Sequence, residues 1–245
     1  MYKLLNLKIE SIMTLEELTQ AQKKLHEEIQ QFAEKHCLAN DNICPIYDGV
    51  ENIEAYLKSP LKIMWLLKEP YDEDGGGWNI SAAYKNEAGK KKATYRRMAA
   101  ATFGFTNNMY YEQIRKMSGE IDIFPSLDSI AYINLSKMPG NNRTSSASAK
   151  AYYTLWKDIL HKQINVYNPD VIIFGGTMNF FEFSKEPHLF DTYFNSDVNP
   201  DCKAKIYQHE NRWSISIYHP SAIVSDEVYI DLLIDSLKTI QKNRK

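Results

Sequence analysis

The chain has few cysteines, no long apolar run and no excess charge of either sign, and each absence removes a class of protein. Cysteine occurs three times, at Cys37, Cys44 and Cys202, with no Cys-x-x-Cys pair. An odd, irregularly spaced set makes no disulfide framework and lacks the paired spacing of a metal-ligand set. A reducing cytoplasm is therefore the expected compartment, and no metal or iron–sulfur site on these cysteines is expected. No window approaches about 18 uninterrupted apolar residues, so no membrane span is expected. Met1 to Met13 mixes apolar and charged residues and lacks a signal-peptide core. Lys and Arg number 29 against 31 Asp and Glu. No global field selects a nucleic-acid partner, although a local basic patch is enough for one. Internal repeats, low-complexity tracts and clear linkers are absent.

What is present suits a globular α/β protein. The 245 residues are 44% hydrophobic and 24% charged, which fits one large domain or two small ones. Thr14 to Lys35 reads as a helix, with Thr14 and Glu17 in capping-box spacing ahead of Leu18, Ala21 and Leu25. Further helices are expected over Val50 to Lys58, Lys90 to Phe103, Asn108 to Met117, Ala149 to Val166 and Asp226 to Gln241, the last with Asp226 as N-cap. Near-continuous apolar runs at Leu61–Leu67, Ser129–Leu135 and Val171–Phe174 read as strands covered on both faces. Lys205–Gln208 and Trp213–Tyr218 read as a hairpin. Asp72 to Trp78, with three glycines, reads as a mobile loop; Lys137 to Ser148 reads as a polar loop broken by Pro139-Gly140, and Phe183 to Asp201 as a loop. Strands alternating with helices predict a three-layer α/β/α fold around a central, four-stranded, mainly parallel sheet. One domain is expected over 1–245, with 1–58 as an N-terminal helical extension and 59–245 as the α/β core.

Ligands of parallel α/β sheets bind beyond the carboxyl ends of the strands. Four polar loops follow the main strands: Lys68-Glu69-Pro70-Tyr71, Asn134 to Thr144, Gly175-Gly176-Thr177 and His219-Pro220-Ser221. Glu69 is a candidate general base, electrostatic stabiliser or metal ligand, or else a helix cap or surface ion-pair partner. His219 is a candidate hydrogen-bond donor, general acid or metal ligand, or else a structural residue. Gly175-Gly176-Thr177 is a candidate phosphate cradle at a helix N-terminus, without the fuller pattern of a P-loop. Lys90-Lys91-Lys92 with Arg96-Arg97 is either a phosphate-tracking patch or a solvated helix face.

In order along the chain, these motifs resemble the uracil-DNA glycosylase superfamily, over roughly Leu61 to Ser225. Leu67-Lys68-Glu69-Pro70-Tyr71 stands where the best-known family has Gly-Gln-Asp-Pro-Tyr, and His219-Pro220-Ser221 matches the closing His-Pro-Ser. Ala131 to Lys137 fits the strand whose terminal Asn recognises uracil, and Met138 to Thr144 is similar to the Pro-x-Asn-Arg-Thr segment of the iron–sulfur branch. Residues 168–176 are similar to the third strand and its glycine turn. Glu69 replaces an Asp and Lys68 a Gln. The iron–sulfur branch needs four cysteines, so no cluster, metal or other cofactor is expected.

The resemblance implies a hydrolase of the N-glycosidic bond of uracil or a related damaged base in DNA. A target base in a duplex must be flipped out to be reached. By resemblance Glu69 takes the role of the carboxylate near the sugar, as in glycoside hydrolysis, and His219 donates to the leaving base. Asn134 reads the uracil edge, Tyr71 crowds its C5 side and Trp78 stacks on it. Ser221 and Thr177, with the Gly175 turn, meet phosphates. Lys68 and Arg143 contact DNA, and Ile223 is an apolar wedge. A monomer acting on damaged DNA, away from membranes, is the expectation. A glycosylase-fold protein that binds nucleic acid or a nucleotide without cleaving it is the alternative, motivated by Lys68-Glu69 and by the acidic Asp72-Glu73-Asp74, whose charges repel phosphate.

Overall fold

Four apolar strands lie parallel at the centre of one sheet: β2 (Ile63–Leu67), β3 (Ala131–Asn134), β4 (Val171–Gly175) and β7 (Arg212–Ile217). The computed structural model describes residues 13–140, 143–181, 192–194, 204–209 and 211–244. Three antiparallel strands extend the central four: β1 (Gly49–Val50) pairs with β3, β6 (Lys205–His209) with β7, and β5 (Thr192–Phe194) with β6. The sheet therefore has seven strands, ordered β1-β3-β2-β4-β7-β6-β5, rather than the four expected. Of the three added strands, β6 is the first strand of the expected hairpin, while β1 and β5 are only two and three residues long and leave little periodic signal. Among them, β5 falls within the stretch read as a loop; the rest of that stretch lies outside the described residues.

Each central strand alternates between two cores, as a pleat with period two requires. Ile63, Trp65, Leu67, Tyr132, Ile173 and Ile215 face one apolar cluster. It is completed by helices α5 (Ala93–Asn107) and α8 (Asp226–Asn243). Met64, Leu66, Ile133, Ile172 and Phe174 face the other, completed by α1 (Leu15–Lys35), α2 (Ile53–Lys58) and α7 (Ser146–Tyr167). Helices thus cover both faces. The segment read as an extension is built into the second face: β1 joins the sheet, and Leu18, Leu25, Ile29 and Ala33 of α1 are buried.

Local chemistry sets the helix ends. The Thr14 hydroxyl accepts from the Glu17 N–H (3.2 Å) while the Glu17 carboxylate accepts from the Thr14 N–H (2.8 Å), closing the expected capping box. The helix read over Lys90–Phe103 is instead two. After a one-turn α3 (Ala82–Lys85), α4 (Glu87–Lys91) ends at Lys92, whose extended backbone caps α5. Asn108 ends α5 in the left-handed region (φ 54°), so the next helix, α6 (Tyr111–Lys116), starts later than expected. Ser225, not Asp226, caps α8, which leaves the Asp226 carboxylate free for other partners.

In chain order the central strands lie 2-1-3-4 across the sheet. The chain leaves the first of them, β2, to one side and later returns on the other. This is the switch point at which the carboxyl ends of such a sheet open a crevice, here between β2 and β4. No helix among the described residues is long and apolar enough to cross a membrane.

Candidate functional site

A cleft of about 690 Å³ opens at that end of the sheet. Its walls include Lys68, Glu69, Pro70 and Tyr71 after β2, Arg143 and Thr144 after β3, and His219 and Ser221 after β7. Lys92 and the first turn of α5, Ala93 to Tyr95, form the side, and Tyr132 of β3 also lines it. Glu69 and His219, far apart in sequence, thus share one cleft, together with four other predicted residues, Lys68, Tyr71, Arg143 and Ser221.

The β2 and β3 loops keep pairing after the strands end. Ser136 N–H donates to Lys68 C=O (2.9 Å), Gly140 N–H to Pro70 C=O (2.9 Å), and Asp72 N–H to Gly140 C=O (3.2 Å). Pro139-Gly140 is therefore a ladder rung as well as a breaker. A side chain at Gly140 would have to displace Glu69: a Cβ would lie 2.6 Å from its carboxyl carbon. One Glu69 oxygen accepts from the Thr144 hydroxyl. The other, Oε2, is buried against Gly140. Burial, and then a hydrogen bond to the Glu69 carboxylate, raise the Tyr152 phenol above its ordinary value.

His219 is held through one ring nitrogen. Its Nδ1 accepts from the Ser221 N–H (3.1 Å) and from the Ser221 hydroxyl (2.8 Å), so the proton of the neutral ring belongs on Nε2. Burial, helped by the Lys68 cation, lowers its pKa to about 4. At neutral pH the ring is an uncharged donor in the cleft wall. Gly176, at φ +70°, lies directly beneath it: a Cβ there would lie 3.4 Å from the His219 nitrogen.

The remaining predicted residues lie elsewhere. Thr177 is fully buried and its hydroxyl donates to Leu66 C=O (2.8 Å). Only a three-residue 3-10 turn follows it, so Gly175-Gly176-Thr177 forms no phosphate cradle. Gly175 is a packing glycine: a Cβ there would lie 3.1 Å from Pro220 and would strike Leu67. Trp78 is half-buried against the core, and its indole donates to Asp72 Oδ2 (3.2 Å) away from the cleft. Asn134 is fully buried and does not line the cleft. Its N–H donates to Asp48 (2.7 Å) and its C=O accepts from Lys137 (2.7 Å). Its side-chain amide is buried on the strand face shared with Tyr132, whose phenol it meets. Ile223, two residues beyond Ser221, is fully exposed, and Tyr218 is half exposed.

Two further expectations change. The loop Asp72–Trp78 is fastened rather than loose. Asp72 accepts from the N–H groups of Asp74 (3.0 Å) and Gly76 (2.6 Å), and the chain bonds back to Cys44 and Pro45. Burial pushes the Asp72 carboxyl up, but these bonds outweigh it and hold it below its ordinary value. One of the three acidic charges is thus turned inward. The basic run also divides: Lys90 pairs with Asp122 (2.7 Å), Arg96 with Asp226 (3.0 Å), Arg97 is buried, and only Lys92 reaches the cleft, over the Tyr71 ring at 4.9 Å.

Sequence reasoning missed Tyr95, Tyr132, Gly140 and Thr144 as site residues, and named Lys92 only within a longer basic run. Tyr132 could be found from its alternation with Asn134, and Gly140 and Thr144 from the motif that contains Arg143. The Asp48–Lys137 ion pair (2.8 Å), fully buried behind Asn134, left no local signal. Cys37 and Cys44 carry free thiols, and no cluster of three His, Cys, Asp or Glu side chains suited to a metal occurs among the described residues. In comparisons with known proteins, no family model matches the chain and no curated protein matches it.

Proposed function

We propose that this cleft hydrolyses the N-glycosidic bond of uracil or a related damaged base in DNA, on a uracil-DNA glycosylase-like fold. The observation that carries the reading is the meeting of Glu69 and His219 in one cleft, with the imidazole Nε2 left free to donate. Departure of the base leaves positive charge on the sugar and negative charge on the base. The Glu69 carboxylate stabilises the first and orients the attacking water, whose oxygen bonds to the anomeric carbon as the carbon–nitrogen bond breaks and whose proton passes to the departing base anion. Nε2–H of His219 donates to a carbonyl oxygen of the leaving base and stabilises the second. A base must be out of its stack to enter, and the exposed Ile223 fills the gap. The amide of Asn134, with one donor and one acceptor, matches a pyrimidine edge once the pocket floor opens to it. Lys68, Lys92 and Arg143 supply the local basic patch that the net charge does not. Free thiols suit a reducing cytoplasm, and the reading needs one chain, one DNA strand and no cofactor.

The test is a panel of oligonucleotides carrying uracil, hypoxanthine, xanthine or hydroxymethyluracil, scored for abasic sites. An abasic product on at least one of them is expected. One observation favours binding without cleavage: Glu69 is wedged against Gly140 and bonded to Thr144, as a loop-holding carboxylate would be. Salt-sensitive binding with no abasic product on any substrate would select that second reading.

A further inference from the structure

We infer that Arg97 is a positioning residue that ties together the two walls of the cleft and sets the aim of His219. Arg97 sits one turn beyond Ala93, Thr94 and Tyr95, which form one wall. The residue is 5% exposed, and its guanidinium reaches across to the loop that forms the other. Nη1 donates to the carbonyls of Pro220 (2.8 Å) and Ala222 (2.9 Å), and Nη2 to that of Val224 (2.6 Å). Nε donates to Asp226 Oδ1 (2.6 Å), which fixes the fork from behind. The Tyr229 ring lies under the cation at 5.2 Å, and its hydroxyl donates to Tyr218 C=O (2.8 Å).

A planar fork with five donors meets three carbonyls and a carboxylate at once, which a lysine ammonium with three donors cannot. The carbonyls of residues 220, 222 and 224 turn inward to it. The alternate side chains, Ser221 and Ile223, face the cleft and the solvent. Ser221 in turn holds Nδ1 of His219. Buried charge is costly unless paired and bonded, and a plain loop anchor would not need one; an alignment-sensitive donor such as His219 does. This inference rests on the reading of the cleft as a glycosylase site.

The experiment is a double-mutant cycle of Arg97→Lys with His219→Asn, read by single-turnover excision and thermal melting, with the His219 ring titrated by NMR. A misplacement of about 1 Å costs on the order of 10²-fold in rate, and a loss of that size is expected for Arg97→Lys. In the His219→Asn background the same change is expected to cost almost nothing. Equal loss in both backgrounds would overturn the inference and leave Arg97 a stabilising residue. Asp226→Asn is the gentler variant if Arg97→Lys fails to fold; a smaller loss that again vanishes without His219 is expected. If the wild-type protein excises nothing, the glycosylase reading fails separately, and the inference is then judged on the titration. Lys68, Glu69 and Arg143 line the cleft with His219. Loosening the loop is expected to move the ring from about 4 towards its ordinary 6.5, and an unmoved midpoint overturns the proposal.

Discussion

His219 is held at one ring nitrogen and free at the other, whereas Glu69 is enclosed at both carboxylate oxygens, one bonded to Thr144 and one buried against Gly140. Ser221 occupies Nδ1 of the imidazole. Protonating His219 would set a second N–H against the Ser221 N–H, which agrees in sign with a pKa lowered by burial to about 4. Folding therefore excludes the proton. Stability is complete above about pH 6.5, declines as the pH falls from there towards 4, and levels off below. NMR titration of the ring should place its midpoint near 4, and a midpoint at 6.5 would contradict the account. Gly140→Ala places a methyl group against the Glu69 carboxyl and should cost about 1–3 kcal/mol by overpacking, with a loss of excision larger than the fall in melting temperature explains. Much of this was legible from order alone: Glu69, His219, Ser221 and Arg143 were found as polar residues after apolar strands. Their hydrogen-bond partners were not, because Thr144 lies 75 positions from Glu69 and nothing local links them.

At the scale of elements, strand ends are fixed by charges that no periodicity reveals. Lys137 donates to both oxygens of Asp48 (3.0 and 2.8 Å) and to Asn134 C=O, and Gln163 of α7 also donates to Asp48 (2.7 Å). Burial lowers the Lys137 ammonium and outweighs the raising effect of Asp48. The cluster joins the segment before β1, the end of β3 and α7. Lys137→Met leaves Asp48 buried without its cation and should cost about 3–5 kcal/mol, read as a lower urea midpoint. A change below about 1 kcal/mol would show the pair to be dispensable. Apolar runs gave β2, β3 and β4 correctly because burial on both faces leaves no polar alternation, whereas the alternation of Trp213, Ile215 and Ile217 with serines gave β7 of the hairpin. The break between α4 and α5 was invisible because Lys90, Lys91 and Lys92 suit helix and cap alike, while only the last turns into the cleft. The glycines at 75–77 signalled a turn, but not that Asp72 and the Cys44–Pro45 chain fasten it.

For the whole molecule, a net charge of −2 conceals a basic rim around one cleft. Lys68, Lys92 and Arg143 converge there from three loops. Three phosphate contacts on a single strand predict that log K falls with log salt with a slope of about −2, measurable by fluorescence anisotropy. A slope near zero would remove nucleic acid as the partner. The seven-stranded sheet brings residues from the first and last thirds of the chain to one crevice, because the 2-1-3-4 order turns the crossovers outward from it. The most direct measurement is single-turnover release of free base from a uracil-containing oligonucleotide by the wild-type protein, Glu69→Ala and His219→Ala. The account predicts an abasic product for the wild type and a loss of roughly 10²–10⁴-fold in each variant. Undiminished release by both variants, or none by a folded wild type that still binds the strand, would contradict it.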